Sequence, residues 1–359
     1  MINQETKIKT KKSCARKGMR IMLIISAFLL GCAVILGGWL FILSPGKTEP
    51  YRDQNGRVLP GSISEKTFVD IGGVKQGMFI KGKNTKNPVV LFLHGGPGMP
   101  TYFLAKQFPT GMEDNFTVCY WEQRGAGISY SPDMKAGSFS AEQLVSDAIE
   151  VTNYLRERFG QEKIYLAAHS WGSFIGLQTA AKAPELYHAY IGISQITNQR
   201  ESERKAYQWM TEQYTATGNT EKMNILKKFP ILENDALASS WFKQPERDTC
   251  MHELGVGTMR GMKDVYSGVF LPFLGTKEYT VAEKFNTFFR AKPFLRNETK
   301  LIDQLFDYDL SARVPKLELP VYLFSGSYDL TVNHDLNKAY FKRRRIKKTL
   351  YRLKSHDQT

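Results

Sequence analysis

The chain has little of what builds disulfide or metal sites. Four cysteines occur in 359 residues, at Cys14, Cys32, Cys119 and Cys250, too few and too scattered for a disulfide framework. No metal-ligand spacing appears among them. His252-Glu253 lacks a second histidine four residues on, so the helical zinc-hydrolase motif is absent. Nothing asks for a cofactor. Internal repeats and low-complexity tracts are missing too. So is net charge, away from the two ends: of +14 overall, residues 1–20 carry +6 and residues 338–354 carry +9, which leaves the rest within one charge of neutral. A basic stripe on the fold, the footprint of a nucleic-acid binder, is not expected. With 42% hydrophobic residues, a chain of this length can bury a large core.

Charge is also missing from Ile21 to Leu43, a run of 23 residues. As a helix it spans roughly 35 Å, enough for a bilayer core of about 30 Å. Lys7, Lys9, Lys11, Lys12, Arg16, Lys17 and Arg20 precede it, which keeps that end cytoplasmic and places the remainder outside. A cleaved signal peptide has a shorter apolar centre of about 7–15 residues. Leu29-Leu30-Gly31-Cys32 resembles a lipoprotein cleavage box, yet Ala33 to Leu43 stays apolar past it. The expectation is a basic tail at 1–20, an uncleaved single-pass anchor at 21–43 in the cell membrane, and a linker at 44–66 leading to an external domain.

Chemistry enters at Leu166-Ala167-Ala168-His169-Ser170-Trp171-Gly172. The apolar run Ile164 to Ala168 ends in a serine between small flanking residues, and a helical pattern starts at Ser173. That is the pattern of a nucleophile elbow, with Ala168 standing where glycine is usual. Upstream, the buried-strand pattern Val89 to Leu93 ends in His94-Gly95-Gly96-Pro97-Gly98. Such a loop leaves backbone N–H groups free to stabilise an oxyanion. Gly96 and Trp171, the latter directly after the serine, are the expected donors. A further strand, Phe116 to Trp121, ends in Glu122-Gln123-Arg124-Gly125, where Glu122 is expected to pair with Arg124.

These three motifs, in this order and spacing, resemble the prolyl aminopeptidase (proline iminopeptidase) branch of the α/β-hydrolases. The likeness runs from about Thr67 to about Tyr340. It implies an α/β fold with a mostly parallel sheet, flanking helices, and a helical cap inserted before the strand that carries the acid. It also implies release of an N-terminal residue, often proline, from small peptides. Such enzymes place cap carboxylates on the substrate's free amine. Glu203 and Glu253 are the candidates, ordinary solvated glutamates being the alternative.

The rest of the chain is read on that plan. Ala141 to Phe159 has a one-sided stripe at Leu144, Ala148, Val151, Leu155 and Phe159, with Ser140 and Gln143 as a capping box. Ala189 to Ile193 is a strand. Residues 67–196 form the first part of the core and 197–314 the cap, with helices over Ser202–Ala216 and Val281–Ala291, the second stopping before Pro293. Gly255, Gly257 and Gly261 mark a break between them. Pro320 to Phe324 resumes the sheet in the second core part, 315–359. Asp329 follows that strand as the expected acid, in the order serine, acid, histidine.

The base is left by elimination among six histidines. His94 lies in the glycine loop, His169 beside the serine, His188 before a strand and His252 in the cap. His334 is five residues past Asp329, at the same loop-to-helix junction. His356 follows a final strand within Thr349 to Lys354 and resembles the family's Ser-x-His ending, although Ser355 abuts it directly. Relatives continue with a helix where this chain has three more residues, so an altered or truncated C-terminus stays open. The reading is a membrane-anchored serine hydrolase using Ser170, Asp329 and His356 on small peptides. An esterase or other small-molecule acyl hydrolase is the alternative, as is a catalytically impaired binding protein.

Overall fold

The structure is a computed structural model that describes residues 2–257, 262, 264–342 and 348–353, with backbone alone for 2–17 and 348–353. Eight strands form one sheet: β1 (Ile63–Ile71), β2 (Val74–Gly82), β3 (Val89–Leu93), β4 (Thr117–Trp121), β5 (Ile164–His169), β6 (Tyr187–Ile193), β7 (Val321–Gly326) and β8 (Lys348–Leu353). Their spatial order is β1-β2-β4-β3-β5-β6-β7-β8. The β1/β2 and β2/β4 pairs are antiparallel and all others parallel. Every residue of β3 and β4 is buried, because helices cover both faces of the sheet centre and both sides of each strand must be apolar.

The β1–β2 hairpin was not legible as strands, since Glu65, Lys66, Asp70 and Lys75 break the apolar pattern. Its turn did carry a signal: Gly72 and Gly73 both adopt positive φ, 56° and 75°, as a tight two-residue hairpin turn requires. Gly72 is also sterically obligatory. A Cβ there would lie 2.2 Å from Asp147 Oδ1 and 2.3 Å from Arg124 Nη2.

That crowding marks a buried polar knot. Arg124 donates from Nε and Nη2 to the two oxygens of Asp147 (2.7 and 2.9 Å) and from Nη2 to the Gly72 carbonyl (2.8 Å). Gln76 and Gln143 complete the carboxylate's partners at 2.9 and 2.8 Å. Arg124 therefore ties the hairpin to the helix Ala141–Phe159, and its expected pairing with Glu122 is corrected: Glu122 turns the other way. Gln143 is likewise diverted. Ser140 caps the helix by accepting from the Gln143 N–H (3.1 Å), but the Gln143 side chain goes to Asp147, so no reciprocal box forms. Replacing Asp147 by alanine strands a buried guanidinium and is expected to destabilise the fold by about 3–5 kcal/mol. Urea unfolding of the paired variants checks this, with Arg124→Met/Asp147→Leu recovering part of the loss.

The N-terminal helix runs Ile2–Ile42. Its Gly18–Ile42 part has mean hydropathy 2.6 and is unburied, long and apolar enough to cross a membrane. The segment C-terminal to this helix is not a free tether. The Lys284 ammonium donates to Leu43 O (3.2 Å) and Ser44 Oγ (2.8 Å) just past the helix end and to Leu274 O (2.6 Å), which ties that end to the helix Leu271–Leu274. Gly46 N–H donates to Lys277 O, and the Tyr51 hydroxyl donates to Glu113. Backbone and side-chain contacts bind the segment read as a linker to the domain.

Among the described residues, no strand lies between β6 and β7; helices and turns fill the segment, with a core of their own around Met210, Tyr214, Trp241 and Met251. The helix read from Ser202 starts at Gln199, capped by Asn198. The second does not stop before Pro293. Helical backbone continues from Val281–Asn286 through π-helical turns at Thr287–Ala291 and Phe294–Glu298, with Pro293 at φ −59°, ψ −43° between them. Wider π turns relieve the i−4 contact that proline cannot satisfy, so the chain bends rather than ends.

Candidate active site

Ser170 sits between β5 and the helix Trp171–Lys182 with φ 50° and ψ −121°, a conformation that L-residues rarely adopt. The turn is held on both sides. The Ser170 N–H donates to Ile193 O (3.0 Å), and the Ser173 N–H and hydroxyl both donate to Ser170 O (2.8 and 2.6 Å). Gly172 is forced by the crossing of helix and strand, because a Cβ would come within 2.3 Å of Leu93 O and 2.6 Å of His94 O. Ala168 can replace the usual glycine for a reciprocal reason. It faces Gly176, where a Cβ would lie 2.8 Å from the Ala168 methyl.

The glycine loop lies directly over the serine. A Cβ on Gly95 would be 3.4 Å from Ser170 Cβ and 3.2 Å from His169 Nδ1. Gly96 and Gly98 take φ of 123° and 84°, which only glycine holds without strain. The loop is locked by a network that sequence reasoning missed. His94 Nε2 accepts from the Gln123 N–H (3.0 Å), the Gln123 amide donates to His94 O (2.9 Å), and the Trp171 indole donates to Gln123 Oε1 (3.0 Å). With Nε2 accepting, Nδ1 carries the proton and donates to Gly95 O (2.7 Å). The Trp171 backbone N–H, in the first turn of its helix, has no intrahelical acceptor and stays available beside the serine.

Glu122 is buried beneath this loop. It accepts from the Ile128 N–H (2.6 Å) and from the Tyr279 hydroxyl, and a Cβ on Gly127 would collide with it. Burial pushes its carboxyl up to about 8, against the opposing effect of those two donors. The folded state therefore holds a proton that the unfolded chain, near 4.5, releases. Stability present below pH 4.5 is lost as pH rises toward 8, by an amount on the order of a few kcal/mol. Chemical unfolding at pH 5 and pH 8 should show this fall in the native chain and a much flatter profile for Glu122→Gln.

Asp329 lies three residues beyond β7. Its Oδ1 accepts from the Val332 N–H (2.9 Å), and the Ser194 hydroxyl is a further partner. Burial raises its carboxyl above the usual range despite these bonds. Ser194, at the end of β6, has φ 48°; with Ser170 it makes two strained serines at neighbouring strand ends. No sequence pattern announced Ser194. Ser170, Ser194 and Asp329 thus follow the C-terminal ends of the adjacent parallel strands β5, β6 and β7.

His94 has both ring nitrogens engaged, and burial lowers it to about 4. His169 is lowered to about 4 by burial as well. His188 is exposed on β6, His252 lies in the last turn of the helix Pro245–Glu253, and His334 starts the helix His334–Lys342. His356 lies outside the described residues. β8, which precedes it, is parallel to β7 with Gly326 opposite Leu353.

A cavity of ≈ 300 Å³ opens over Ser170 between the glycine loop and the helical insertion, reaching Thr331 next to the Asp329 turn. Phe103, Leu104, Phe242, Val265 and Val269 give it an apolar wall, and Arg247, Asp248, Lys292 and Arg296 its charge. Neither cap glutamate reaches it. Glu203 is fully buried behind the wall in a bidentate pair with Arg247 (2.9 and 2.8 Å). Glu253 is held by Lys222 (2.7 Å) and lines an adjoining recess that shares Asp248, Val265, Lys292 and Arg296 with the cavity. The carboxylate that does line the cavity is Asp248, bonded to Arg247 Nη1 at 2.7 Å. Burial opposes its ionisation, but Arg247 and Arg296 outweigh that and hold its carboxyl below the ordinary range. Asp248, Lys292 and Arg296 lie in surface-like helical sequence, where nothing distinguishes a cavity residue from a solvated one.

Residues 88–355 match the family described as alpha/beta hydrolase fold. This chain belongs to that family. The alpha/beta hydrolase is 32% identical over 283 residues to a probable aminopeptidase, YbaC, of Bacillus subtilis, covering 78% of this chain and 86% of the relative. It is 23% identical over 261 residues to a proline iminopeptidase of Saccharolobus solfataricus, covering 71% and 73%. Among solved structures, a proline iminopeptidase-related protein of Thermus thermophilus superposes with TM-score 0.53 at 21% identity, covering 81% of this chain and 89% of that one. This last likeness is one of fold.

Proposed function

We propose that this alpha/beta hydrolase is a membrane-anchored serine aminopeptidase that releases N-terminal residues, proline among them, from small peptides. The observation that carries the reading is Ser170, held in a strained elbow, with the glycine loop so close that a Cβ on Gly95 would lie 3.4 Å from the serine's own, and a cavity above. Ser170 Oγ attacks the scissile carbonyl while His356 takes its proton. The resulting oxyanion is held by the N–H groups of Gly96 and Trp171. His356 then protonates the leaving amine, and water repeats the sequence on the acyl-enzyme. Asp329 orients the imidazole and balances its charge. The choice of His356 is supported by its sequence distance from the sheet: it is three residues past Leu353 in the chain, as Asp329 is three past Gly326, and those two strand ends are paired in parallel.

For the substrate's free amine, Asp248 replaces Glu203 and Glu253 as the partner, being the carboxylate that faces the cavity. Anchoring through residues 21–43 is supported by the unburied apolar helix and by what adjoins its end. Phe285, next to the Lys284 that grips that end, begins an exposed string with Phe289 and Tyr266, bridged by Phe270. The basic flank puts the hydrolase outside the cell membrane.

The apolar wall favours one second reading, an esterase for small acyl groups. Purified protein assayed with aminoacyl amides, their N-acetyl derivatives and short-chain esters separates the two. Amide turnover that requires the free amine supports the peptidase. Ester-only turnover supports the second reading, and silence toward all of them leaves a binding protein. Protease treatment of intact cells tests the topology, since an external domain is degraded and a cytosolic one is protected.

A further inference from the structure

We infer that Lys292 and Arg296 form a carboxylate-binding subsite beside Ser170, making dipeptides and tripeptides with a free C-terminus the preferred substrates. The inference rests on the proposal that Ser170 acts on peptides, and it adds which peptides.

The two cations stand four positions apart, Lys292 between the two π turns and Arg296 within the second, and both line the cavity over Ser170. Insertions of π geometry redirect side chains and are frequent at functional sites. Lys292 lies close to the chemistry: a Cβ on Gly98 would be 3.5 Å from its Cα, so its backbone abuts the glycine loop. The local charges do not cancel. Arg247 engages both Glu203 and Asp248, and neither Lys292 nor Arg296 has an ion pair among the described residues. Arg296 donates to the Phe242 carbonyl and stands over that ring at 5.4 Å, which fixes the guanidinium without neutralising it. Both cations are half-buried, and burial is the main effect lowering the pKa of each, with Arg296 adding to it at Lys292 while Asp248 opposes it at both. A solvated surface lysine would carry no such penalty. An anion placed between them relieves it, and a guanidinium beside an ammonium suits a carboxylate.

The charge pattern matches a zwitterion. Asp248 takes the ammonium of the first residue, and Lys292 with Arg296 takes the carboxylate beyond the scissile bond. A volume of ≈ 300 Å³ is at the small end for ligand pockets and suits a peptide of two or three residues.

The test uses the full detergent-solubilised chain with matched substrates: prolyl-alanine, its C-terminal amide, prolyl-aspartic diamide, 4-nitrophenyl hemisuccinate and 4-nitrophenyl butyrate. Prolyl-alanine is expected to exceed its amide by about 10- to 100-fold in kcat/KM, mainly through KM. That ratio should fall toward one in Lys292→Gln and in Arg296→Gln. The native ratio decides the matter alone if a variant fails to fold. Equal cleavage of acid and amide overturns the subsite and leaves the aminopeptidase standing. No peptide turnover with hemisuccinate preferred over butyrate overturns the aminopeptidase and keeps the subsite. A preference for the aspartic diamide over prolyl-alanine moves the carboxylate to a side chain and overturns the C-terminal assignment. Loss of acid and amide turnover in equal proportion in both folded variants makes the cations structural and overturns the inference.

Discussion

Ser170→Ala is expected to lower kcat by about 10⁴-fold or more while KM for the same peptide changes little. The hydroxyl acts on the reacting carbon, whereas Asp248, the glycine loop and the apolar wall hold the substrate in the ground state. The fold should tolerate the change. Ser170 contributes its backbone N–H and carbonyl to the elbow, and its side chain makes no cap hydrogen bond. Alanine at φ 50° is no worse strained than serine, so unfolding is not expected to mask the kinetic loss. Steady-state kinetics on the two purified proteins, with thermal unfolding alongside, checks both halves.

His356→Ala should cost about 10⁴-fold, because an unactivated serine is a poor nucleophile. His94, with both nitrogens occupied, and His169, kept neutral by burial, are not replacements. The comparison is with the unmodified chain on the same amide substrate. Equal activity would remove His356 from the mechanism and turn attention to His334, the nearest histidine to Asp329 in sequence. Asp329→Asn gives a companion result. A drop in the same range is expected, since an amide cannot balance an imidazolium.

The parallel half of the sheet could be read in advance because buried strands need unbroken apolar runs, and β3, β4, β5 and β7 supply them. The elbow was legible for a steric reason: Gly172 answers to the Leu93 carbonyl, and no larger residue fits. Charged residues hid β1 and β2, though their Gly72-Gly73 turn was in plain sight. Motif spacing placed Glu122 and Arg124 two residues apart, which shares a face in a strand, but both lie past the end of β4, where that alternation no longer holds. One went to Tyr279 and the other to Asp147. The cap was least legible. Sequence pointed to Glu203 and Glu253 and passed over Asp248; packing buries the first against Arg247 and pairs the second with Lys222 in an adjoining recess. Pro293 signalled an end where π turns instead carried the helix on, bringing Lys292 and Arg296 to the site.

The central claim is that Ser170 is the reacting nucleophile of a working hydrolase. It is tested most directly by labelling the native protein with a fluorophosphonate and mapping the modified residue by peptide mass spectrometry. One adduct per chain is expected, on Ser170, formed in step with loss of peptide turnover. Modification of Ser173, Ser194, Ser325 or Ser327 instead, or full labelling of Ser170 with turnover intact, would contradict the claim.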